Sequence, residues 1–99
     1  MRVIARKNLR IFWEKAGNRD AEQPLRAWFA EAKKARWKKP QDIKDSYRNA
    51  SFVGKDRVVF NIGGNKYRLV VKINYAYQVI YVRFVGTHAE YDRIDAQTI

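Results

Sequence analysis

Arg57-Val58-Val59-Phe60-Asn61-Ile62-Gly63-Gly64-Asn65-Lys66-Tyr67-Arg68-Leu69-Val70-Val71-Lys72-Ile73-Asn74 reads as two β-strands, 57–62 and 66–74, joined by a hairpin turn. Successive side chains of a strand point to opposite faces. Tyr67, Leu69, Val71 and Ile73 therefore share one face, and Lys66, Arg68, Val70 and Lys72 share the other. Gly63-Gly64, with Asn65, supplies residues that accept the positive φ of a tight hairpin. A third run, Gln78 to Val85, follows the turn Asn74-Tyr75-Ala76-Tyr77 and extends the meander. An even turn centred on Tyr75-Ala76 pairs residue 73 with 78, 70 with 81 and 68 with 83. Ile80, Val82 and Phe84 then join the apolar face, and Tyr81 and Arg83 the basic one. A two-residue turn at Gly63-Gly64 adds Val58, Phe60 and Ile62 to the apolar face and Arg57 and Asn61 to the other.

An apolar sheet face must be covered, and the first half of the chain supplies the cover. Leu9, Phe12, Trp13 and Ala16 recur at helical spacing, as do Leu25, Trp28, Phe29 and Ala32. Gly17-Asn18 ends the first helix, and the second begins between Asp20 and Pro24. Two helices across a short turn form an antiparallel hairpin. Pro40 breaks the pattern, with one more short helical stretch between it and Tyr47. Met1 to Ala5 fits a short strand. Thr87 and Glu90 make a T-x-x-E capping box, so a short helix starts after the sheet. The expectation is an α+β fold: N-terminal helices packed on one face of a small antiparallel sheet, with a short C-terminal helix. Residues 1–99 form a single domain, since half this length would not sustain its own core.

Charge narrows the function. Twenty-one Lys and Arg against ten Asp and Glu give +11 at pH 7. Such an excess repels itself in a compact state and suits a polyanionic partner, above all a phosphate backbone. No long cationic amphipathic helix or lipidation motif points to a membrane partner. The absence of cysteine excludes disulfides, thiolate zinc sites and thiol catalysis. With no signal peptide and no run of ~20 apolar residues, a cytoplasmic location is expected.

The uncovered face is the candidate site. It carries Arg57, Asn61, Lys66, Arg68, Lys72, Tyr81 and Arg83, with Arg68 directly across from Arg83. Like charges placed opposite each other destabilise a sheet, and a phosphate between them is the reading that resolves the conflict. His88, Tyr91 and Asp92 share a face of the C-terminal helix. His88, the one histidine, fits a structural or an acid–base role, since imidazoles as a class titrate near neutrality. Tyr91 fits either an active-site role or an anchor to the core. The run Lys33, Lys34, Arg36, Lys38 and Lys39 fits phosphate binding equally with complementing the negative end of the second helix.

Phe60-Asn61-Ile62-Gly63-Gly64-Asn65-Lys66-Tyr67-Arg68-Leu69-Val70, then Tyr81-Val82-Arg83, then Gly86-Thr87-His88-Ala89-Glu90-Tyr91-Asp92 resemble the HigB toxins, within the RelE-like group of bacterial toxin–antitoxin systems. The resemblance spans nearly the whole chain. It implies a microbial RNase-type fold and an endoribonuclease, an mRNA interferase, that cuts mRNA on translating ribosomes and is restrained by a HigA antitoxin. By position after the hairpin, Arg68 resembles the arginine that contacts the scissile phosphate in RelE-like toxins. Tyr91 resembles their C-terminal active-site tyrosine. His88 falls near where other members carry a basic residue or a histidine.

RNA brings its own nucleophile, the 2′-hydroxyl, so the chemistry needs alignment, proton transfer and charge stabilisation. No Asp/Glu/His cluster suggests a metal site, and no cofactor or metal is expected. Catalytic candidates are Arg68 and Arg83 on the phosphate, His88 as acid or base, and Tyr91 stacking on a base or orienting the 2′-hydroxyl. Lys66 assists, or acts as base if neighbouring cations lower its pKa. Candidate RNA-binding residues are Arg57, Asn61, Lys72, Tyr81, Lys33, Lys34, Lys38 and Lys39. The alternatives are a non-catalytic RNA- or DNA-binding module, in which Tyr81 stacks a base, and an interaction protein with an acidic partner.

Overall fold

A computed structural model describes all residues, 1–99. In chain order the elements are β1 (Arg2–Ile4), α1 (Lys7–Glu14), a 3-10 turn (Arg19–Ala21), α2 (Glu22–Lys34), α3 (Pro40–Ser46), β2 (Ser51–Val53), β3 (Arg57–Ile62), β4 (Tyr67–Asn74), β5 (Val79–Thr87) and α4 (His88–Tyr91). The five strands form one sheet in the order β1-β5-β4-β3-β2. No helix is long and apolar enough to cross a membrane.

The α+β layout is as the sequence predicts, with two differences in the sheet. Strand β1 runs parallel to β5, so the sheet is mixed rather than antiparallel throughout. The helices α1, α2 and α3 separate β1 from the meander, and a crossover of that length permits parallel pairing. Strand β2, which pairs with β3 through Val53 and Arg57, is an edge strand that the sequence reading does not contain. Its three residues are too few for alternation to register.

The helical cover forms as its spacing dictates. Leu9, Phe12 and Trp13 of α1 and Leu25, Trp28 and Ala32 of α2 are buried, while Ala16 lies beyond the end of α1 and is exposed. They meet Val58, Phe60, Ile62, Tyr67, Leu69, Val71, Ile73, Ile80 and Val82 in one cluster. Its centre is aromatic: Phe60 meets Trp28 edge-on at 5.5 Å and Tyr47 at 5.0 Å, and stacks with Trp37 at 6.3 Å. Each such buried ring stabilises the fold by ~1.5–3 kcal/mol through loss of apolar surface from water.

Two registers differ from expectation. The β3–β4 turn holds four residues, since Ile62 pairs with Tyr67, yet the odd offset keeps every face assignment. The β4–β5 turn also holds four, with Asn74 paired to Val79 and Gln78 at φ 57° closing it. A β-bulge then follows, because Val71 pairs with Val82 but Val70 pairs with Phe84. Arg83 is the extra residue. Beyond it the faces invert: Phe84 leaves the helical side, Val85 packs on the main core, and Arg68 lies opposite Gly86 instead of Arg83. Strict alternation through Val82-Arg83-Phe84-Val85 cannot foresee this, since apolar residues follow Arg83 in both phases.

The second sheet face is not bare. Val59, Val70 and Ala96 form a small buried cluster, with Phe84, Tyr91, Ile94 and Ile99 packed around it. The C-terminal segment therefore crosses β4 and β3 and buries the strip between them. Strand β4 is sandwiched: Leu69, Val70 and Val71 have essentially no exposed surface.

Two interactions outside the core yield predictions. A Cβ on Gly86 would lie 2.5 Å from Phe84 Cζ and 3.1 Å from Glu90 Oε1. Gly86→Ala should lower stability by ~1–3 kcal/mol in urea unfolding, as overpacking does, and Phe84→Leu should restore part of it. Asp20 accepts hydrogen bonds from Lys66 Nζ (2.5 Å) and from the Tyr67 hydroxyl, tying the α1–α2 junction to β4. The hydrogen bonds from Lys66 and then Tyr67 lower the Asp20 pKa below its ordinary 3.8. A depressed folded-state pKa gives stability that is present above the ordinary value and lost as pH falls through the folded one. Thermal melts taken downward from about pH 5 should therefore lose less stability in Asp20→Asn than in the parent chain.

Candidate RNA-cleavage site on the second sheet face

Cross-strand pairing sorts the second face into three rows. Asn61, Arg68 and Gly86 form the first, next to the β3–β4 turn. Val59, Val70 and Phe84 form the second, which is apolar and lies under the C-terminal segment. Arg57, Lys72 and Tyr81 form the third, continued by Ile4 of β1. The continuous basic face expected from strand parity is thus divided into two polar bands, roughly 13 Å apart along β4 at the usual rise per residue.

The first band gathers residues around the start of α4. Arg68 is half-buried, and its Nη1 donates to the carbonyl oxygens of Asn65 (3.0 Å) and Tyr67 (3.3 Å). No carboxylate engages it, so the guanidinium is held in place by main-chain acceptors and retains its charge for a ligand. The His88 amide donates to the Lys66 carbonyl at 3.3 Å, which seats α4 beside the start of β4. The capping box forms: Glu90 N–H donates to Thr87 Oγ1, and Thr87 N–H to Glu90 Oε1 at 2.8 Å. The latter bond holds the Glu90 carboxyl below its ordinary value. These bonds fix a helix of only four residues, which propensity alone would not sustain.

His88 is exposed, and its Nδ1 lies 3.3 Å from Asp92 Oδ2 one turn on. That carboxylate lies on the Nδ1 side of the ring, and Nε2 has no hydrogen-bond partner within the protein. Tyr91, one turn on from His88, is half-buried and packs on the Val59–Val70 cluster, which anchors α4 to the second sheet face. Lys66 is committed to Asp20, whose hydrogen bond raises its pKa above the ordinary lysine value. The condition for Lys66 as a base was a lowered pKa. The neighbouring carboxylate reverses that condition, and Lys66 here is a fixed cation.

The second band is partly neutralised, by one carboxylate shared between two cations. Asp56, which the sequence reading left out, holds Arg57 Nη1 at 2.6 Å and lies 3.9 Å from Lys72 Nζ. Arg57 Nε also donates to the Ile99 carbonyl at 2.9 Å. Arg57 is therefore a structural tie to the C-terminal segment, with its side chain only 11% exposed. Arg83, thrown outward by the bulge, is exposed and lines a cavity of about 570 Å³ with Asp56, Lys72 and Tyr81. The two arginines expected to face each other stand in different bands, since Arg68's partner Gly86 is three residues from Arg83. Of the remaining basic run, Lys33 and Lys34 form the last turn of α2, and Lys39 precedes α3. Lys33, Lys34 and Lys38 border a recess at the far end of the sheet.

Asp20 and Asp56 are the acidic residues that sequence reasoning missed. Asp20 acts over long range, reaching Lys66 from 46 positions away, whereas Asp56 holds its neighbour Arg57 and approaches Lys72 across the β3–β4 pair. No local spacing signals the Asp20–Lys66 pair.

Comparison with known proteins bears on the same elements. Residues 21–94 match the family described as HigB_toxin, the RelE-like toxic component of a toxin–antitoxin system. The chain is 36% identical over 95 residues to the "mRNA interferase toxin HigB" of Escherichia coli K12, spanning 93% of this chain and 88% of that one. The "mRNA interferase HigB" of Shigella flexneri matches to the same extent. The matched span contains every residue of the Asn61–Arg68–Gly86 row and the whole of α4. The chain belongs to the HigB family of RelE-like toxins, the toxic components of toxin–antitoxin systems.

Proposed function

We propose that this chain is an mRNA interferase, an endoribonuclease that cuts mRNA on the translating ribosome, and that the band of Asn61, Arg68 and Gly86 with α4 is its active site. One observation carries this reading: Arg68 is a half-buried guanidinium, braced by two main-chain carbonyls and free of carboxylates, on the strand segment where the helix bearing the only histidine is seated. The family membership and the named activity of the relatives support it.

In the proposed reaction the 2′-hydroxyl oxygen attacks the adjacent phosphorus and the bond from phosphorus to the 5′-oxygen breaks. The hydroxyl proton passes to a base and a proton is delivered to the leaving oxygen. The products are a 2′,3′-cyclic phosphate and a 5′-hydroxyl, and the step needs no metal because the substrate supplies its nucleophile. Arg68 binds the non-bridging oxygens as a fork and stabilises the charge that grows on them. His88, with Asp92 on its Nδ1 side, exchanges a proton through Nε2. Lys66, kept protonated and paired by Asp20, fixes the start of β4 beside the site and takes no part in the proton transfer. Tyr91, held by the apolar cluster, orients the nucleotide. Tyr81, Lys72 and Arg83 of the other band take the flanking strand, with Tyr81 available for stacking. A HigA-type antitoxin restrains the activity.

Primer extension on a defined mRNA in a purified translation reaction checks this. Arg68→Ala should cut ~10²–10³-fold more slowly, the usual effect of removing one transition-state donor, with an unchanged thermal melt. His88→Gln should lose ~10²-fold or more, as for loss of a general acid or base. Cutting should cease when a HigA-type antitoxin is added. A folded Arg68→Ala protein that cuts at the parent rate would reject the assignment. Binding without cutting by the parent chain would make it a docking module.

A further inference from the structure

A group of unpaired positive charges lies away from the proposed active site. Lys33, Lys34, Arg36 and Lys38 surround an open recess of about 800 Å³ at the opposite end of the sheet. All four are exposed, and none takes part in an ion pair. The cations of the sheet face differ, since Arg57, Lys72 and Lys66 have Asp56 and Asp20 as partners. No carboxylate lines the recess, and Asp42 accepts the Lys38 amide at 2.9 Å rather than a side-chain cation.

A structural purpose for the four charges is removed by the helix end itself. Cations at the end of α2 could serve to satisfy its terminal carbonyls. The Met1 nitrogen already does so, donating to Ala32, Lys33 and Ala35 oxygens at 3.3, 2.9 and 2.8 Å. The wall of the recess is also rigid. Gln78, in the left-handed conformation at φ 57°, donates from Nε2 to the carbonyls of Trp37 (2.7 Å) and Tyr75 (2.9 Å). That clamps the segment bearing Arg36 and Lys38 to the β4–β5 turn, and buried Trp37 anchors it from below. Four like charges held on a fixed wall repel one another, and a polyanion relieves the repulsion.

The β4–β5 turn carries a second feature. Tyr77, at its tip, is 80% exposed, the most exposed large apolar side chain of the fold, while its amide is fixed to Asn74 Oδ1 at 3.0 Å. An uncovered ring on a turn whose neighbouring residues, Ala76 and Gln78, line a cationic recess is a pairing that suits unpaired nucleotides: charge for the backbone, stacking for the base. Tyr75 and Ala76 line both this recess and the cavity that holds Lys72, Tyr81 and Arg83, so the two surfaces are continuous around the turn.

We infer that the recess of Lys33, Lys34, Arg36 and Lys38, with Tyr77, is a second RNA-binding surface that grips the backbone of an unpaired RNA segment away from the cleavage site. It rests on the reading of the chain as a ribonuclease. Its distance from that site is roughly 25 Å, the span of β5 from Gln78 to Gly86 at the usual strand rise. Its role is retention of RNA, not bond cleavage.

The test is fluorescence anisotropy with a labelled, 2′-O-methylated single-stranded oligonucleotide, which binds without being cut. Replacing the four by Gln (Lys33→Gln, Lys34→Gln, Arg36→Gln, Lys38→Gln) should flatten the slope of log K against log salt by about 3, the value for four phosphate contacts on a single strand. The melting temperature should not fall. Tyr77→Ala should weaken binding ~5- to 100-fold, and Tyr77→Phe should retain it, since stacking needs the ring and not the hydroxyl. An unchanged affinity and slope in the fourfold variant would overturn the inference. So would displacement of the oligonucleotide by poly-glutamate at equal charge concentration, which would mark a surface for acidic protein. The Arg68→Ala protein separates the two proposals. Loss of its cutting with an unaltered fourfold variant rejects only the recess, and persistence of its cutting with a flattened fourfold slope rejects only the active-site assignment.

Discussion

One extra residue in β5 governs how this molecule presents its chemistry. Arg83 has no partner on β4, and the bulge it makes shifts everything after it by one position. Phe84 turns onto the second sheet face and roofs Gly86, and Val85 turns into the main core. Gly86 comes to rest opposite Arg68, and the capping box of α4 starts one residue later. Without the bulge, β5 would place Arg83 against Val70 and leave α4 out of phase with the start of β4. The tightness of the Gly86 position shows that this register is enforced by packing.

The second consequence is the division of the basic face. An apolar row of Val59, Val70 and Phe84 is only tolerable under cover, and Tyr91, Ile94, Ala96 and Ile99 provide it. That cover stiffens β4 from both sides, and it separates Arg68 from the Arg57–Lys72–Tyr81 band. Arg68 gains by the separation. In the second band Asp56 spends the positive charge on internal ties, whereas Arg68 is held only by neutral carbonyls and keeps its charge for a phosphate. Rigid placement of an uncompensated cation is what transition-state stabilisation requires.

Charge excess and fold are linked in the same way throughout. Several of the ten acidic residues serve as fixed structural partners: Asp20 for Lys66 and Tyr67, Asp56 for Arg57 and Lys72, Asp42 for the Lys38 amide, Glu90 for the Thr87 amide. Among the cations they leave unpaired are Arg68 and the four around the recess at the end of α2, so part of the +11 surplus is held at these two fixed places.

Much of this was legible in the sequence, and the reason is periodicity. Helical spacing of Leu9, Phe12 and Trp13, and of Leu25 and Trp28, fixed the buried faces of α1 and α2. Alternation in β3 and β4 assigned the residues of the main core correctly even though the β3–β4 turn is longer than assumed and the β4–β5 turn lies one residue further on, because each change moves the pairing by two residues and preserves the face. The T-x-x-E capping box located α4, and the residues resembling HigB toxins named the family. Tertiary structure alone decided the rest. A bulge shifts register by one, with no composition to announce it, so the partner of Arg68 could not be read from Val82-Arg83-Phe84-Val85. Asp20 acts through contacts between segments far apart in the chain, and Asp56 reaches Lys72 only once β3 and β4 pair. The parallel pairing of β1 depends on where three helices deliver it. Patterns local to a strand or a helix are written in the sequence, because backbone geometry imposes their period. Which cation is neutralised, and which stands free to meet RNA, depends on neighbours that only the folded chain brings together.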